Sequence, residues 1–406
     1  MATPVTGPSV ITRRGVLAAA AGTLLLGGCG RDGERENAVA RPTPGHELVV
    51  GATLELTGPG AALGVLQQRA LDISVAALNE KGVAVGNQRR SVRVEVLDNR
   101  SDPRLAARQA TELGRRDDVH ALLGATLAET SMSVIGVAQK LRLPFVSLAF
   151  GDSIAVPLAQ RAFIYKVTPD AGDVARRLAQ LMSAEGLRRV VLLAEDGLHG
   201  DSGVRAMRGA LRTAEVGLAR TVRLPTGKDG VARAAEQAVA AGADGVVVWA
   251  TAPNSGAAAR ALRAAGHDGE LFFDAGAVAD DTLDAPNLPA VEGSYAVHPS
   301  SLGGSTIANN SSAAGRAYRD LVSAYIRAHG AYRGFAPYAS DALLLISTAA
   351  RMADSVDRGR LRAYLQNQVT DGMAGMYSFT PIRHSGMDRH SLGVYRVDGG
   401  AWNRLS

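Results

Sequence analysis

Short apolar runs alternate along the chain with segments in which apolar residues recur at helical spacing. Residues 48–54 form a nearly continuous apolar run, which is typical of a strand buried on both faces of a sheet. In residues 61–81 the spacing of Leu63, Leu66 and Ala70 indicates a helix instead. The pattern predicts strands over residues 48–54, 92–97, 119–124, 144–149, 190–194, 245–249 and 271–273. It predicts helices over residues 61–81, 104–115, 128–141, 172–185, 202–213, 230–241, 255–265, 313–329, 340–352 and 360–367.

The alternation of strands and helices predicts the fold class. Strands separated by helices of about 10–15 residues indicate repeated βαβ units and parallel sheets. One such series precedes Lys166 and another follows it, and a single twisted sheet rarely exceeds about ten strands. The expected fold is therefore α/β, with two doubly wound parallel-sheet lobes. Near the end of the chain, residues 377–379 and 392–397 with Gly399-Gly400 predict a β-hairpin.

Composition narrows the classes of function. Hydrophobic residues make up 46% of the 406 residues and charged residues 20%, as in globular proteins. The formal net charge is +5, with acids and bases interleaved, so the chain lacks the basic stripe of a nucleic-acid binder. A single cysteine excludes an intramolecular disulfide and a cysteine metal cluster. Beyond residue 30 the sequence offers no run of about 18 apolar residues to span a membrane.

The N-terminus has the pattern of an export signal. Arg13-Arg14 precedes a short apolar run that ends in Leu26-Gly27-Gly28-Cys29. The last four residues resemble a bacterial lipobox, in which the cysteine is lipidated after cleavage. We therefore expect a signal peptide over residues 1–28, a lipidated Cys29 and a flexible tether over residues 29–45. The paired arginines leave both twin-arginine and general secretion open. Lipidation would anchor the protein to the outer face of the cell membrane.

Motifs for catalysis or cofactor binding are weak in this sequence. Gly58 and Gly60 lie between a strand and a helix, but the third glycine of a dinucleotide fingerprint is displaced. Gly200-Asp201-Ser202-Gly203 matches the residues around a protease nucleophile, yet it opens a helix, where Ser202 is expected as a helix cap. An enzyme would need a nucleophile and base in contact, and His199 and Ser202 are the nearest candidates. We expect no enzyme activity, no cofactor and no metal.

Several segments resemble the type I periplasmic binding proteins of the branched-chain amino-acid (leucine/isoleucine/valine) branch, the solute receptors of ABC importers. The resemblance begins with the Thr57-Gly58-Pro59-Gly60 turn and continues through Asp98-Asn99-Arg100-Ser101-Asp102-Pro103, Leu143-Pro144-Phe145-Val146-Ser147 and Tyr165-Lys166-Val167-Thr168-Pro169. It implies two lobes joined by three crossover segments, near Lys166, residues 292–297 and residues 372–377. The N-terminal lobe would comprise residues 46–166 and 297–372, and the C-terminal lobe residues 167–296 and 373–406.

The resemblance also implies a ligand site between the lobes. The candidate ligand-binding residues are Leu63, Thr126, Ala128, Ala149, Phe150, Gly151, Ser153, His199, Thr251, Asp274 and Gly276.

Several of these positions depart from the family pattern. Ala128 aligns with a hydroxyl, Gly151 with a threonine, Leu63 and His199 with aromatic residues, and Gly276 with the acid that meets the ligand's ammonium. Together the changes remove most of an amino-acid clamp.

Two interpretations of the ligand remain open. An alignment shifted by one or two residues would let Thr126 or Thr130, Ser153 and Asp274 bind an amino acid in the usual way. Otherwise the cleft receives another small ligand, such as an amide, a carboxylate or a weakly polar compound. The resemblance implies a monomeric, non-enzymatic solute receptor that delivers ligand to an ABC permease. A sensory module that reports ligand to a signalling partner is the alternative function.

Overall fold

The computed structural model describes residues 46–225, 228–299, 313–330 and 334–405. These residues all belong to one compact unit, Ala40–Ser406. The expected signal peptide, Cys29 and the tether lie outside the described residues.

Strands and helices alternate as the sequence pattern predicts. The strands are β1 (Glu47–Leu54), β2 (Val83–Val85), β3 (Gln88–Asp98), β4 (Ala121–Gly124), β5 (Phe145–Ser147), β6 (Ile164–Lys166), β7 (Arg189–Glu195), β8 (Gly217–Leu224), β9 (Gly245–Trp249), β10 (Glu270–Phe273), β11 (Tyr295–Pro299), β12 (Val369–Asp371), β13 (Met376–Ser378), β14 (Leu392–Asp398) and β15 (Ala401–Arg404). The helices are α1 (Ala61–Lys81), α2 (Pro103–Gly114), α3 (Ala128–Lys140), α4 (Ala171–Ala184), α5 (Leu198–Thr213), α6 (Lys228–Val239), α7 (Asn254–Ala264), α8 (Leu288–Val291), α9 (Ala313–His329), α10 (Ala336–Ala353) and α11 (Arg358–Leu365).

Two separate sheets form the centres of two α/β lobes. The first sheet has the order β2-β3-β1-β4-β5-β6, and all its pairs except β2–β3 are parallel. The second has the order β15-β14-β11-β10-β9-β7-β8, with a parallel centre and an antiparallel edge formed by β14 and β15. The predicted fold class, two lobes built on mostly parallel sheets, is confirmed.

The chain passes between the lobes more than once. After β6 it enters the second lobe, where α4 packs on α5 and β11. It then returns to the first lobe, because α9 and α10 pack on α1. Finally it adds β14 to the second sheet beside β11. Each lobe is therefore built from segments that are distant in sequence.

The core explains why the central strands are apolar on both faces. Along β7, Val190 and Leu192 belong to one buried cluster, whereas Val191 and Leu193 belong to another on the opposite face. Successive side chains of a strand point to opposite faces, so a strand covered by helices on both sides must be apolar throughout.

The structure corrects two predicted elements and adds strands that were not predicted. The hairpin at Gly399-Gly400 joins β14 to β15, whereas β13 pairs with β12 in a small sheet of its own. Helix α5 begins at Leu198, so Ser202 lies inside the helix and is not its cap; its hydroxyl donates to the carbonyl oxygen of Leu198. The strands that the sequence pattern missed are β2, β6, β8, β11, β12 and β15. Of these, β8 is an edge strand in which only Val222 and Leu224 are fully buried.

Candidate functional site

A cleft of about 640 Å³ lies between the two lobes. Its walls are the carboxyl ends of the parallel strands and the first turns of the helices that follow, which is where open α/β sheets bind ligands. The lining residues are Pro59, Thr126, Leu127, Ala128, Glu129 and Phe150 from the first lobe, and Glu195, Asp196, Gly197, His199, Thr251, Ala252, Pro253 and Asn254 from the second.

The first wall is organised by a buried carboxylate. Glu55 follows β1 and is fully buried. Its oxygens accept hydrogen bonds from the backbone N–H groups of Thr126 (2.7 Å) and Leu127 (3.3 Å), and from the Thr130 hydroxyl. The Thr126 hydroxyl donates to Oε1 of Gln67 at 2.6 Å. These bonds fix the turn that starts α3 at the cleft.

The second wall repeats this arrangement. Glu195 ends β7 and is only 6% exposed. Its Oε2 accepts from the backbone N–H of Thr251 at 3.0 Å and from the Thr251 hydroxyl at 3.0 Å. Glu195 therefore holds the turn after β9 as Glu55 holds the turn after β4. Unlike Glu55, it lines the cleft.

A glycine lets a helix approach each of these acids closely. A Cβ on Gly64 of α1 would lie 2.2 Å from the carbonyl oxygen of Glu55. A Cβ on Gly200 of α5 would lie 1.7 Å from the carbonyl oxygen of Glu195. Both distances are far inside van der Waals contact, so only glycine fits at either position without movement of the backbone.

A histidine–aspartate pair lies beneath the second wall. Nε2 of His199 is 2.9 Å from Oδ2 of Asp274, and both residues are buried. Asp274 also accepts from the backbone N–H groups of Ala250 (3.0 Å) and Gly276 (2.8 Å). We place the hydrogen of the pair on Nε2 of His199, which then donates to Oδ2 of Asp274. Nδ1 of His199 is buried and has no hydrogen-bond partner in the described part of the chain.

The buried side chains of His199 and Glu195 shift each other's pKa. Burial lowers the pKa of His199, but the carboxylates of Asp274 and Glu195 outweigh burial, and the net effect raises this pKa above its usual value. Burial raises the pKa of Glu195, and the nearby His199 opposes that rise. In its charged form the cluster of His199, Asp274 and Glu195 therefore holds one cation between two carboxylates.

Three contacts connect the lobes across the cleft. Oε1 of Glu129 on α3 accepts from the backbone N–H of Leu198 at the start of α5, at 2.9 Å. The backbone N–H of Asp152 donates to the Ser202 hydroxyl at 3.3 Å. The Phe150 ring contacts the His199 ring edge-on, with 5.6 Å between centroids. The first turn of α5 is thus held by the first lobe as well as by its own.

The structure brings some of the candidate residues together and separates others. Thr126, Ala128, Phe150, His199 and Thr251 line the cleft.

The other candidates do not line the cleft. Asp274 and Gly276 lie behind His199 and support its ring. Leu63 and Ala149 are packed in the apolar core, and Gly151 and Ser153 lie outside the lining of this cleft. The Thr130 hydroxyl, an alternative in the sequence analysis, is bound to Glu55. As direct ligand contacts, all of these residues stay predictions.

The acids of the cleft were not among the candidate residues predicted from the sequence. Glu129, Glu195 and Asp196 are lining residues, and Glu55 supports the wall from behind. A signal was available, because Glu195-Asp196 directly follows a buried apolar strand and precedes a helix. Polar residues at that point of a parallel sheet face the ligand crevice.

Comparison with known proteins identifies the class. A family model described as periplasmic binding protein matches residues 47–401. The chain belongs to the periplasmic binding protein family, and its two lobes have the type I fold. The resemblance found in the sequence is thereby confirmed.

Solved structures with this fold bind different ligands. An extracellular ligand-binding receptor from Rhodopseudomonas palustris HaA2 is 23% identical, with a TM-score of 0.78, covering 88% of this chain and 99% of the receptor. The branched-chain amino acid transporter substrate binding protein LivJ from Streptococcus pneumoniae, solved with isoleucine, is 18% identical, with a TM-score of 0.76 and coverages of 88% and 99%. An ABC transporter solute binding protein from R. palustris, solved with benzoate, is 17% identical, with a TM-score of 0.75 and coverages of 89% and 96%.

Membrane-spanning helices and metal-binding clusters are both absent from the described residues. None of their helices is long and apolar enough to cross a membrane. Within the same part of the chain, no group of three or more His, Cys, Asp or Glu residues is arranged to hold a metal ion.

Proposed function

We propose that this protein is the solute-binding component of an ABC importer, which captures a small ligand between its lobes and delivers it to a permease. The observation that carries the proposal is the cleft, whose walls come from both lobes. A ligand that touches Thr126 and Ala128 on one side and Glu195 and Thr251 on the other favours closure of the lobes. The family membership supports the same function.

The proposal includes the lobe limits and the cellular location. We propose lobes of residues 46–166 with 297–372 and of residues 167–296 with 373–406. We propose export and a lipid anchor on Cys29, with the body of the protein monomeric outside the cell. Substitution Cys29→Ser tests the anchor. The wild type should partition into the detergent phase after extraction, and the variant into the aqueous phase.

The proposed role is binding without catalysis. In an enzyme on this scaffold His199 and Ser202 would be the nearest pair, but the Ser202 hydroxyl donates to the Leu198 carbonyl and His199 bonds to Asp274. Neither side chain is arranged to activate the other.

The experiment that tests the function has two parts. First, thermal unfolding is measured in the presence of a library of small metabolites, and at least one compound should raise the melting temperature. Second, the bound protein is added to its importer in proteoliposomes, where ATP hydrolysis should increase. Binding without stimulation of ATP hydrolysis would favour the sensory alternative. No shift with any compound would contradict the binding function itself.

A further inference from the structure

The charge of the cleft is unbalanced. Its lining residues include three acids, Glu129, Glu195 and Asp196, and no lysine or arginine. The only basic side chain in the lining is His199, and its charge is already paired with Asp274 at 2.9 Å. A ligand that enters the cleft therefore meets uncompensated negative charge.

Glu195 is the acid best placed to receive a ligand. It is nearly buried and lines the cleft. Arg223 donates to its backbone carbonyl at 3.3 Å, but no lysine or arginine of the described residues pairs with its carboxylate. The carboxylate accepts from the N–H and the hydroxyl of Thr251, which supply two hydrogens. A carboxylate has about four acceptor sites, so Glu195 retains unused acceptor capacity at the cleft. A buried carboxylate in this state is stabilised by a cation or is costly to keep ionised.

Asp274 is not available for that role. Its two oxygens already accept from His199, Ala250 and Gly276. It also lies behind the lining, because a Cβ on Gly276 would touch Asp274, His199 and Thr251 together. Asp274, the acid that a shifted alignment would bring to a ligand ammonium, thus serves the histidine, whereas Glu195 lies at the cleft.

The side chains of the lining offer few partners to a ligand carboxylate. The hydroxyls of Thr126 and Thr251 each have one hydrogen, and these are donated to Gln67 and Glu195. Nδ1 of His199 is the one buried side-chain nitrogen of the lining left without a partner among the described residues. An anion bound there would also lie beside Glu195, and like charges at close range are strongly unfavourable in a buried site.

We propose that the cleft binds a small organic monocation, an ammonium compound without a carboxylate, with its charged head on Glu195. This inference rests on the proposed binding function and names its ligand class. The Phe150 ring, which lines the cleft against His199, gives an aromatic surface for the rest of the ligand. Nδ1 of His199 can accept a hydrogen bond from a ligand hydroxyl when the ring is neutral, or donate one to a ligand carbonyl when the ring is protonated.

The test compares the affinities of ligands that share one hydrocarbon skeleton and differ only in their charged or polar group. Leucine, leucinamide, 4-methylpentanoate, 4-methylpentanamide and isoamylamine share one branched skeleton and differ in charge. The same set is prepared on propyl and benzyl skeletons, so that ligand size does not decide the result. Melting of the purified full chain is measured with each compound, and hits are measured by calorimetry. On at least one skeleton the amine and the amino amide should bind at least tenfold more tightly than the amino acid, the acid and the neutral amide.

Glu195→Gln provides the matched variant. It keeps the size of the side chain and an oxygen that accepts from Thr251, and it removes the charge. Amine affinity should fall at least tenfold in Glu195→Gln and stay unchanged in Glu236→Gln, which makes the same change at an exposed acid of α6 outside the cleft lining. If Glu195→Gln does not fold, the head-group series on the wild type decides alone.

The outcomes separate the inference from the proposed function. If amino acids, acids or neutral amides bind as tightly as amines or more tightly, the ligand class is wrong and the binding function stands. The same conclusion follows if amines bind Glu195→Gln as tightly as the wild type. It also follows if no compound of the series shifts melting and the metabolite library yields a ligand that is not an amine. If neither the series nor the library shifts melting, the binding function itself is contradicted.

Discussion

Gly200→Ala is the sharpest test of how the second wall is built. The added methyl group would lie 1.7 Å from the carbonyl oxygen of Glu195, which is about 1.5–2 Å closer than ordinary non-bonded contact. The obstacle is backbone, so it cannot rotate away. Helix α5 must therefore move away from β7, and His199 must move with it.

The expected loss of stability follows from two opposing effects. Overpacking a tight site costs about 1–3 kcal/mol, and sometimes more. Replacing glycine by alanine within a helix gains at most about 1 kcal/mol. A 1.7 Å contact with backbone belongs at the upper end of that cost, so about 3 kcal/mol less about 1 kcal/mol leaves an expected net loss of about 2 kcal/mol in Gly200→Ala. Gly209→Ala on the same helix is the control, because Gly209 is exposed and its added Cβ would meet nothing within 4 Å. It should gain about 0.5–1 kcal/mol.

Calorimetric melting of both variants measures the difference. At about 2–4 °C per kcal/mol for a large domain, Gly200→Ala should melt several degrees below the wild type and Gly209→Ala a degree or more above it. Ligand affinity should fall in Gly200→Ala alone. If Gly200→Ala melts at or above the wild-type temperature, the close packing of α5 on Glu195 is refuted.

Three further predictions concern ionisable groups. The pKa of His199 is raised in the folded protein, so its contribution to stability is present below about pH 6.5 and lost as pH rises through the folded value. The decline in melting temperature above that pH should be smaller in His199→Gln than in the wild type. An equal decline in both proteins would contradict a raised pKa of His199. Burial raises the pKa of Asp341 to about 7, which disfavours its ionised form in the folded protein, so wild-type stability should fall as the pH rises from about 4 to 7. Urea titrations of Asp341→Asn should show a weaker fall over this range, and a fall equal to that of the wild type would contradict the raised pKa. Glu129→Ala removes the hydrogen bond to Leu198 between the lobes, worth about 0.5–1.5 kcal/mol, and should raise the radius of gyration of the unliganded protein in X-ray scattering. Glu129→Gln keeps an acceptor and should scatter like the wild type; equal scattering from all three proteins would argue against the contact.

Much of the fold could be predicted because the pattern is strong where elements are buried. The predicted helix over residues 61–81 coincides with α1, and the strand over residues 245–249 coincides with β9. Strand β8 was missed because an edge strand buries few residues and carries Arg220 and Arg223 along its length. The start of α5 was placed four residues late, since Ser202 has the chemistry of a cap and the backbone begins the helix without one.

The candidate site could be predicted only in part, and weak burial patterns are not the cause there. Alignment to a family gives positions along the chain, and three of those positions, Thr126, His199 and Thr251, line one cleft. It did not give hydrogen-bond partners. Asp274 bonds to His199 because of the backbone turns around it, which the hydrophobic periodicity does not encode. The position of Glu195 at the cleft surface depends on such turns as well.

Hydrogen–deuterium exchange with a compound that raises the melting temperature tests the central claim most directly. A ligand held between the lobes should slow exchange in peptides from both walls at once, around residues 126–130 and around residues 196–201 and 251–255. Protection confined to one lobe would contradict capture between two lobes, and so would protection at a separate surface cavity that includes Asp173 and Arg383.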